Sequence, residues 1–205
     1  MNVRTVGTKM TVTLMPGECY VSRNDVVIGT ILGSCVSACL YDPVSRIVGM
    51  NHFLLSGRQN NPTDRAWQSE AGRYGVHSME IIINSMLKLG ASKGNMRAKA
   101  FGGASVLPTA NRGNGFASVG EMNSRFVVEF LKDEGIRLVS ADLGGAEGRA
   151  IRFHSDDFSV YQRKIRRVVM PDLAVREEQY WQKESKKSYV EPELWDICVK
   201  NNRSH

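Results

Sequence analysis

The sequence predicts an α/β fold of mixed, largely antiparallel sheets with two helices on one face. Three observations predict it. Between Val26 and Leu55 three strand-length apolar runs follow one another with only short turns between them, the pattern of antiparallel neighbours. Around residues 73–89 and 120–134 the apolar spacing changes to three and four, the period of a helix that buries a single stripe. Late in the chain, strand-like runs alternate with glycine pairs that read as turns.

Taken in order, Met10-Thr-Val-Thr-Leu14 alternates, Pro16-Gly17 is a turn signal and Cys19-Tyr-Val21 follows, so residues 1–25 read as an edge hairpin or a strand entering the sheet. Val26 to Leu32 is continuously apolar, Gly33-Ser34 interrupts it, Val36 to Tyr41 continues as a strand, Asp42-Pro43 turns, and Arg46 to Leu55 returns. These three runs predict a local antiparallel sheet. Residues 56–72 are polar and rich in turn formers, a loop leaving the third strand where loops commonly shape the mouth of a site.

Val76, Met79, Ile82, Ile83, Met86 and Leu87 mark the first helix, which Gly90 ends. Lys99 to Ala104 is a strand running into a glycine turn. The second helix spans Gly120 to Glu134, with Phe126, Val127, Phe130 and Leu131 on one side and Gly135 at its end. Ile136 to Ala141 is a strand, Leu143 to Ala146 another glycine turn, and Arg149 to Phe153 a further strand. A last strand-like run precedes Pro171, and beyond about Val169 the chain is charged with scattered large residues such as Trp181 and Trp195. The expected division is a folded domain over 1–169 and a charged tail over 170–205, either a solvated extension or a docking segment.

Composition narrows the function. Of 205 residues, 42% are hydrophobic and 23% charged, which fits a globular chain. No apolar run reaches the ~18 residues of a spanning helix, and the N-terminus lacks the apolar core of a secretory signal, so membrane insertion is not expected and the cytoplasm is the expected compartment. Four scattered cysteines fit a reducing compartment with free thiols better than a disulfide framework. Cys35 and Cys39 form C-x3-C, but four residues of strand separate them by about 13 Å, too far to share one metal ion. The net charge of +6 favours acidic partners. The basic residues are spread out and lack an aromatic ladder, so an acidic protein surface fits better than nucleic acid.

The candidate chemistry lies in Thr30-Ile-Leu-Gly-Ser-Cys35 and Gly49-Met-Asn-His52. A cysteine nucleophile acts as thiolate and needs a base or positive charge beside it. Two antiparallel strands turning at residues 42–45 place positions summing to about 87 opposite each other, and Cys35 with His52 meets that sum. Thr30 is the nearest polar residue able to orient His52, and Ser34 could also serve. Backbone N–H groups of the Gly33-Ser34-Cys35 turn could form an oxyanion hole. His77, within the first helix, and His154, at a strand end, have no nucleophile beside them in sequence. The residues alone leave open a plainer reading, a buried cysteine beside a structural histidine.

An ordered set of motifs adds a resemblance. Leu32-Gly-Ser-Cys-Val36, Asp42-Pro43, Gly49-Met-Asn-His-Phe53, Arg73-Tyr74, Phe101-Gly-Gly-Ala104, Gly120 with Asn123, and Asp142-Leu-Gly-Gly145 with Gly148-Arg149 together resemble the CheD family of chemoreceptor glutamine deamidases, from about residue 17 to 165. The resemblance implies an α/β sandwich that deamidates glutamines on the cytoplasmic helices of methyl-accepting chemotaxis receptors. It implies Cys35 as nucleophile, His52 as general base and Thr30 as third member, a thioester intermediate, release of ammonia, and no metal or organic cofactor. A binding module that docks on receptors or on a CheC-like phosphatase is the alternative. Ser56 stands where the family usually has proline, and the tail lies outside the resemblance.

Overall fold

The computed structural model describes residues 1–7, 9–55, 70–105 and 118–165. Its strands are β1 (Asn2–Val6), β2 (Lys9–Thr13), β3 (Cys19–Ser22), β4 (Val26–Leu32), β5 (Val36–Asp42), β6 (Ile47–Asn51), β7 (Arg97–Gly102), β8 (Arg137–Leu143), β9 (Gly148–His154) and β10 (Val160–Ile165), and its helices are α1 (Glu70–Lys88) and α2 (Val119–Asp133). The strands form two five-stranded sheets, ordered β1-β2-β4-β9-β10 and β3-β6-β5-β7-β8. Pairing is mostly antiparallel, with β2–β4 and β7–β8 parallel.

Both helices pack on one face of the second sheet, α1 over β3 and β6, α2 over β5, β7 and β8. The first sheet covers the opposite face. The second sheet is therefore the middle layer, and β5 is buried along its whole length, which explains why it reads as a continuous apolar run. Its side chains alternate accordingly. Val36, Ala38 and Leu40 enter the helix-facing core, whereas Cys35, Cys39 and Tyr41 enter the core between the sheets. The four apolar residues expected on α2 are all buried, and Ser118 caps that helix in a reciprocal box with Glu121.

Three expectations need correction. β4, β5 and β6 do not form one local sheet. β4 belongs to the first sheet, and the chain crosses to the second at Gly33-Ser34, because β4 finds β2 and β9 as neighbours. The Pro16-Gly17 turn likewise joins two sheets: β2 pairs with β1, and β3 pairs with β6. The β5–β6 register also differs, since Asp42 faces Ile47 and Cys39 faces Met50, so paired numbers sum to 89 and not 87. The cause is a turn that sits one residue later, over residues 43–46. Asp42 Oδ1 accepts from the N–H groups of Val44 and Ser45, and Arg46 takes φ 57° before β6 begins. The tail 170–205 and residues 56–69 of the expected loop lie outside the described residues.

Candidate active site

Thr30, Cys35 and His52 come from three segments that meet at the seam between the sheets. Thr30 lies in β4 of the first sheet, Cys35 follows the crossover directly, and His52 follows β6. Their exposures are 4%, 0% and 1%. Val36 and Phe53 continue the β5–β6 register as an isolated antiparallel bridge, which places Leu54, not His52, opposite Cys35. The register differs from the expected one by two residues, and a shift of two leaves every side chain on its original face. Cys35 and His52 thus remain on the inter-sheet face, as diagonal neighbours instead of a direct pair.

The Thr30–His52 contact bridges the two sheets. Thr30 Oγ1 donates to the Leu14 carbonyl at 2.8 Å and lies 2.8 Å from His52 Nδ1. A hydroxyl has one proton, and a carbonyl can only accept. With that proton on Leu14, Thr30 must accept from Nδ1–H, so the imidazole carries its proton on Nδ1 and its lone pair on Nε2. Nε2 is buried and has no hydrogen-bond partner. Burial pushes the imidazole pKa down to about 3, opposed by the Leu14 carbonyl, so His52 is neutral at physiological pH. The arrangement is an oriented neutral base facing the layer that holds a thiol.

The backbone around the pair is held from several sides. His52 N–H donates to the Glu18 carbonyl at 2.9 Å, and Gly17 N–H donates to the His52 carbonyl at 2.7 Å, which is the use of the Pro16-Gly17 turn. Asn51 Oδ1 accepts from Ala38 N–H at 2.9 Å, while its Nδ2 donates to Ser78 Oγ on α1 at 3.1 Å. On the cysteine side, the carbonyls of Gly33, Ser34 and Cys35 accept from Ala104 N–H, Asn123 Nδ2 and Gly103 N–H, each at 2.8 Å. Gly102 and Gly103 have φ of 116° and 70°, and a Cβ on Gly102 would lie 2.2 Å from the Cys35 carbonyl oxygen. Glycine is needed there for both conformation and space.

The family model described as CheD chemotactic sensory transduction matches residues 54–164. The chain is 48% identical over 188 residues to "Probable chemoreceptor glutamine deamidase CheD 1" of Geobacter sulfurreducens, covering 92% of this chain and 94% of the relative. The chain belongs to the CheD family. It is also 44% identical to the protein named CheD 2 of Shewanella oneidensis, over 87% of this chain and 86% of that one, and 50% identical to a CheD of Rhizobium rhizogenes over 63% and 65%. The family-model match begins beyond His52. The Geobacter alignment spans 188 of 205 residues and so leaves at most 17 outside it, which puts Thr30, Cys35 and His52 within its range.

The other candidates of this CheD chain lie elsewhere. Cys39 shares the inter-sheet core, but burial pushes its thiol up to about 12, with Ser37 and Lys99 opposing, which makes it an inert packing residue. Cys35 and Cys39 are not in disulfides, whereas Cys19 is disulfide-bonded, a departure from the expectation of free thiols. His77 lies in α1 on the helix side, and His154 is partly exposed beside Tyr161 and 3.9 Å from Asp156. No cluster of three or more metal-ligating side chains occurs among the described residues, and no helix among them is long and apolar enough to cross a membrane.

Sequence reasoning assigned no role to two buried polar residues near the seam. Asn123 is fully buried on α2. Arg149 pairs with Leu32 across the ladder, and its guanidinium binds Asp142 Oδ1 at 2.7 Å and also the Asp142 and Gly144 carbonyls. The turn it holds reaches the glycine segment, through Gly144 N–H to Gly102 and Ser105 N–H to the Gly145 carbonyl. The available signal was the placement of polar residues among apolar or glycine runs, in Gly148-Arg149 and in the apolar stripe of α2.

Proposed function

We propose that this chain converts glutamine side chains of chemoreceptors to glutamate, by cysteine amidohydrolysis. Family membership supports the substrate class, and the observation that carries the chemistry is the Thr30–His52 hydrogen bond, which leaves Nε2 unprotonated in the layer that holds Cys35. In the first step His52 Nε2 takes the Cys35 proton, and the sulfur attacks the carbonyl carbon of the glutamine amide. The resulting oxyanion is stabilised by backbone N–H groups of the Gly33-Ser34-Cys35 turn. The C–N bond breaks, the imidazolium returns its proton to the departing nitrogen, and ammonia leaves a thioester on Cys35. Water, deprotonated by His52, attacks the thioester, and the products are a glutamate side chain and the restored thiol.

Thr30 holds the imidazole in the required tautomer throughout. Cys35 and His52 are enclosed, so the glutamine side chain reaches them only after groups covering the seam move aside. The test is mass spectrometry of receptor cytoplasmic helices incubated with the purified protein. A gain of about one mass unit per modified glutamine is expected, abolished in Cys35→Ala and His52→Ala. Receptor glutamines left unchanged by folded protein with an intact Cys35 would refute the reading. A Cys35→Ala protein that still restored receptor signalling would favour a docking module, with a CheC-like phosphatase as its partner.

A further inference from the structure

The buried side chain of Asn123 touches both halves of the candidate site without touching Cys35 or His52 side chains in any hydrogen bond. Its Nδ2 donates to the Ser34 carbonyl and its Oδ1 accepts from Leu55 N–H, both at 2.8 Å. The two contacts fix the amide orientation, because an N–H can only donate and a carbonyl can only accept. α2 comes close enough to place it there because Gly120 lacks a side chain; a Cβ on Gly120 would lie 2.3 Å from the Gly103 carbonyl oxygen.

The Ser34 carbonyl belongs to the peptide whose N–H is that of Cys35. No described peptide bond is cis, so this C=O and N–H point in opposite directions. A donor fixed on the Ser34 oxygen therefore fixes the direction of the Cys35 N–H and strengthens it as a donor, because hydrogen bonds in a chain polarise one another. The peptide units on either side are held differently. The Gly33 and Cys35 carbonyls are bound by the main chain of Ala104 and Gly103, so of the three carbonyl partners only Asn123 acts through a side chain.

We infer that Asn123 is a positioning residue that aims the Cys35 backbone N–H at the oxyanion formed when Cys35 attacks a carbonyl. The inference rests on the proposed role of Cys35 and extends it to the donor that stabilises the intermediate. Asn123→Asp is close to isosteric but sets a carboxylate oxygen against the Ser34 oxygen. Acceptor then faces acceptor, and the Ser34–Cys35 peptide rotates.

Two reactions of Cys35 separate aiming from mere support. Acetylation by an activated acetyl ester passes through an oxyanion; alkylation by iodoacetamide does not. Both are read at Cys35 by mass on the full chain, and the melting temperature of each variant confirms that it is folded. In Asn123→Asp the acetylation rate is expected to fall about 10- to 100-fold while the alkylation rate stays within about 3-fold. Asn123→Ser, which removes the bond to Ser34 without adding charge, is expected to follow the same pattern and serves if the aspartate variant does not fold. Parallel falls in both rates, or none in either, overturn the inference. A wild-type Cys35 that is alkylated but never acetylated overturns the nucleophile reading itself, and is recognised without any variant.

Discussion

Replacing Thr30 by valine tests whether the contact across the seam is a strut or part of the chemistry. Valine keeps the shape of the side chain and removes the hydroxyl, so a methyl group takes a position 2.8 Å from both the Leu14 oxygen and His52 Nδ1. Two buried groups lose their partner, and each orphaned group costs about 1–3 kcal/mol. A loss of roughly 2–6 kcal/mol lowers the melting temperature by roughly 4–24 °C for a chain of this size. The imidazole is then free to place its proton on Nε2, the atom that accepts from the thiol in the proposed mechanism. A wrong tautomer disables a base outright, and in a triad with a charged orienting residue it costs ~10⁴ in kcat. A neutral hydroxyl orients less strongly, so kcat is expected to fall about 10- to 100-fold with KM little changed. Thr30→Ser retains the hydroxyl and is expected to recover most of the rate despite the lost methyl. The assay is ammonia release from receptor helices, beside thermal melts of all three proteins. A valine variant with wild-type kcat and a lowered melting temperature would show that Thr30 only ties the sheets together.

Three further outcomes follow from the same geometry. His52 binds a proton in the unfolded chain below its ordinary pKa of 6.5 but not in the folded one until about 3, so stability falls as pH drops through that window. The slope is up to about 1.4 kcal/mol per pH unit, and urea melts from pH 7 to 4 should be flatter for His52→Gln. Cys39, with its thiol pushed up to about 12, should resist iodoacetamide at pH 8, and Cys39→Ala should retain deamidation while losing about 1–2 kcal/mol of packing. Gly120→Ala drives a methyl into the Gly103 and Ala104 carbonyl oxygens. It should cost roughly 1–3 kcal/mol and depress activity further than its melting temperature explains, because α2 carries Asn123.

The helices were legible because each carries one strong apolar stripe, and Phe126, Val127, Phe130 and Leu131 are all buried as the spacing requires. The strands were legible as strands but not as sheets. Local pairing is the reasonable inference from short turns, yet Gly33-Ser34 and Pro16-Gly17 are sites where the chain changes sheet, and nothing local distinguishes such a turn from a hairpin. The juxtaposition of Cys35 and His52 survived a register error because the error was two residues, one full strand period. Asn123 stood out in the sequence only as a motif residue beside Gly120, and its role was not legible. Its partners, the Ser34 carbonyl and Leu55 N–H, are main-chain groups distant in sequence, and no residue pattern encodes them.

The enclosure of the pair and the neutral state of His52 have a consequence for the pH dependence. A thiol and an imidazole in an apolar layer do not exchange a proton cheaply at rest, because the exchange creates two buried charges. Burial already holds His52 near pKa 3. Proton transfer is favourable only when the negative charge can move on to a carbonyl oxygen met by backbone donors, that is, when the substrate amide is in place. In the proposed mechanism, proton transfer from Cys35 to His52 is therefore coupled to attack on the substrate carbonyl. A preformed thiolate–imidazolium pair would lose rate on acidification through the histidine pKa, and an exposed neutral histidine would lose it tenfold per unit below about 6.5. Here kcat/KM for Cys35 acetylation should remain level from pH 8 down to about 5, below which the loss of fold stability described above intervenes. An ascending limb between pH 6 and 7 that disappears in His52→Gln would show that His52 titrates near its ordinary value, and that the base is more open to water than its burial in the seam requires.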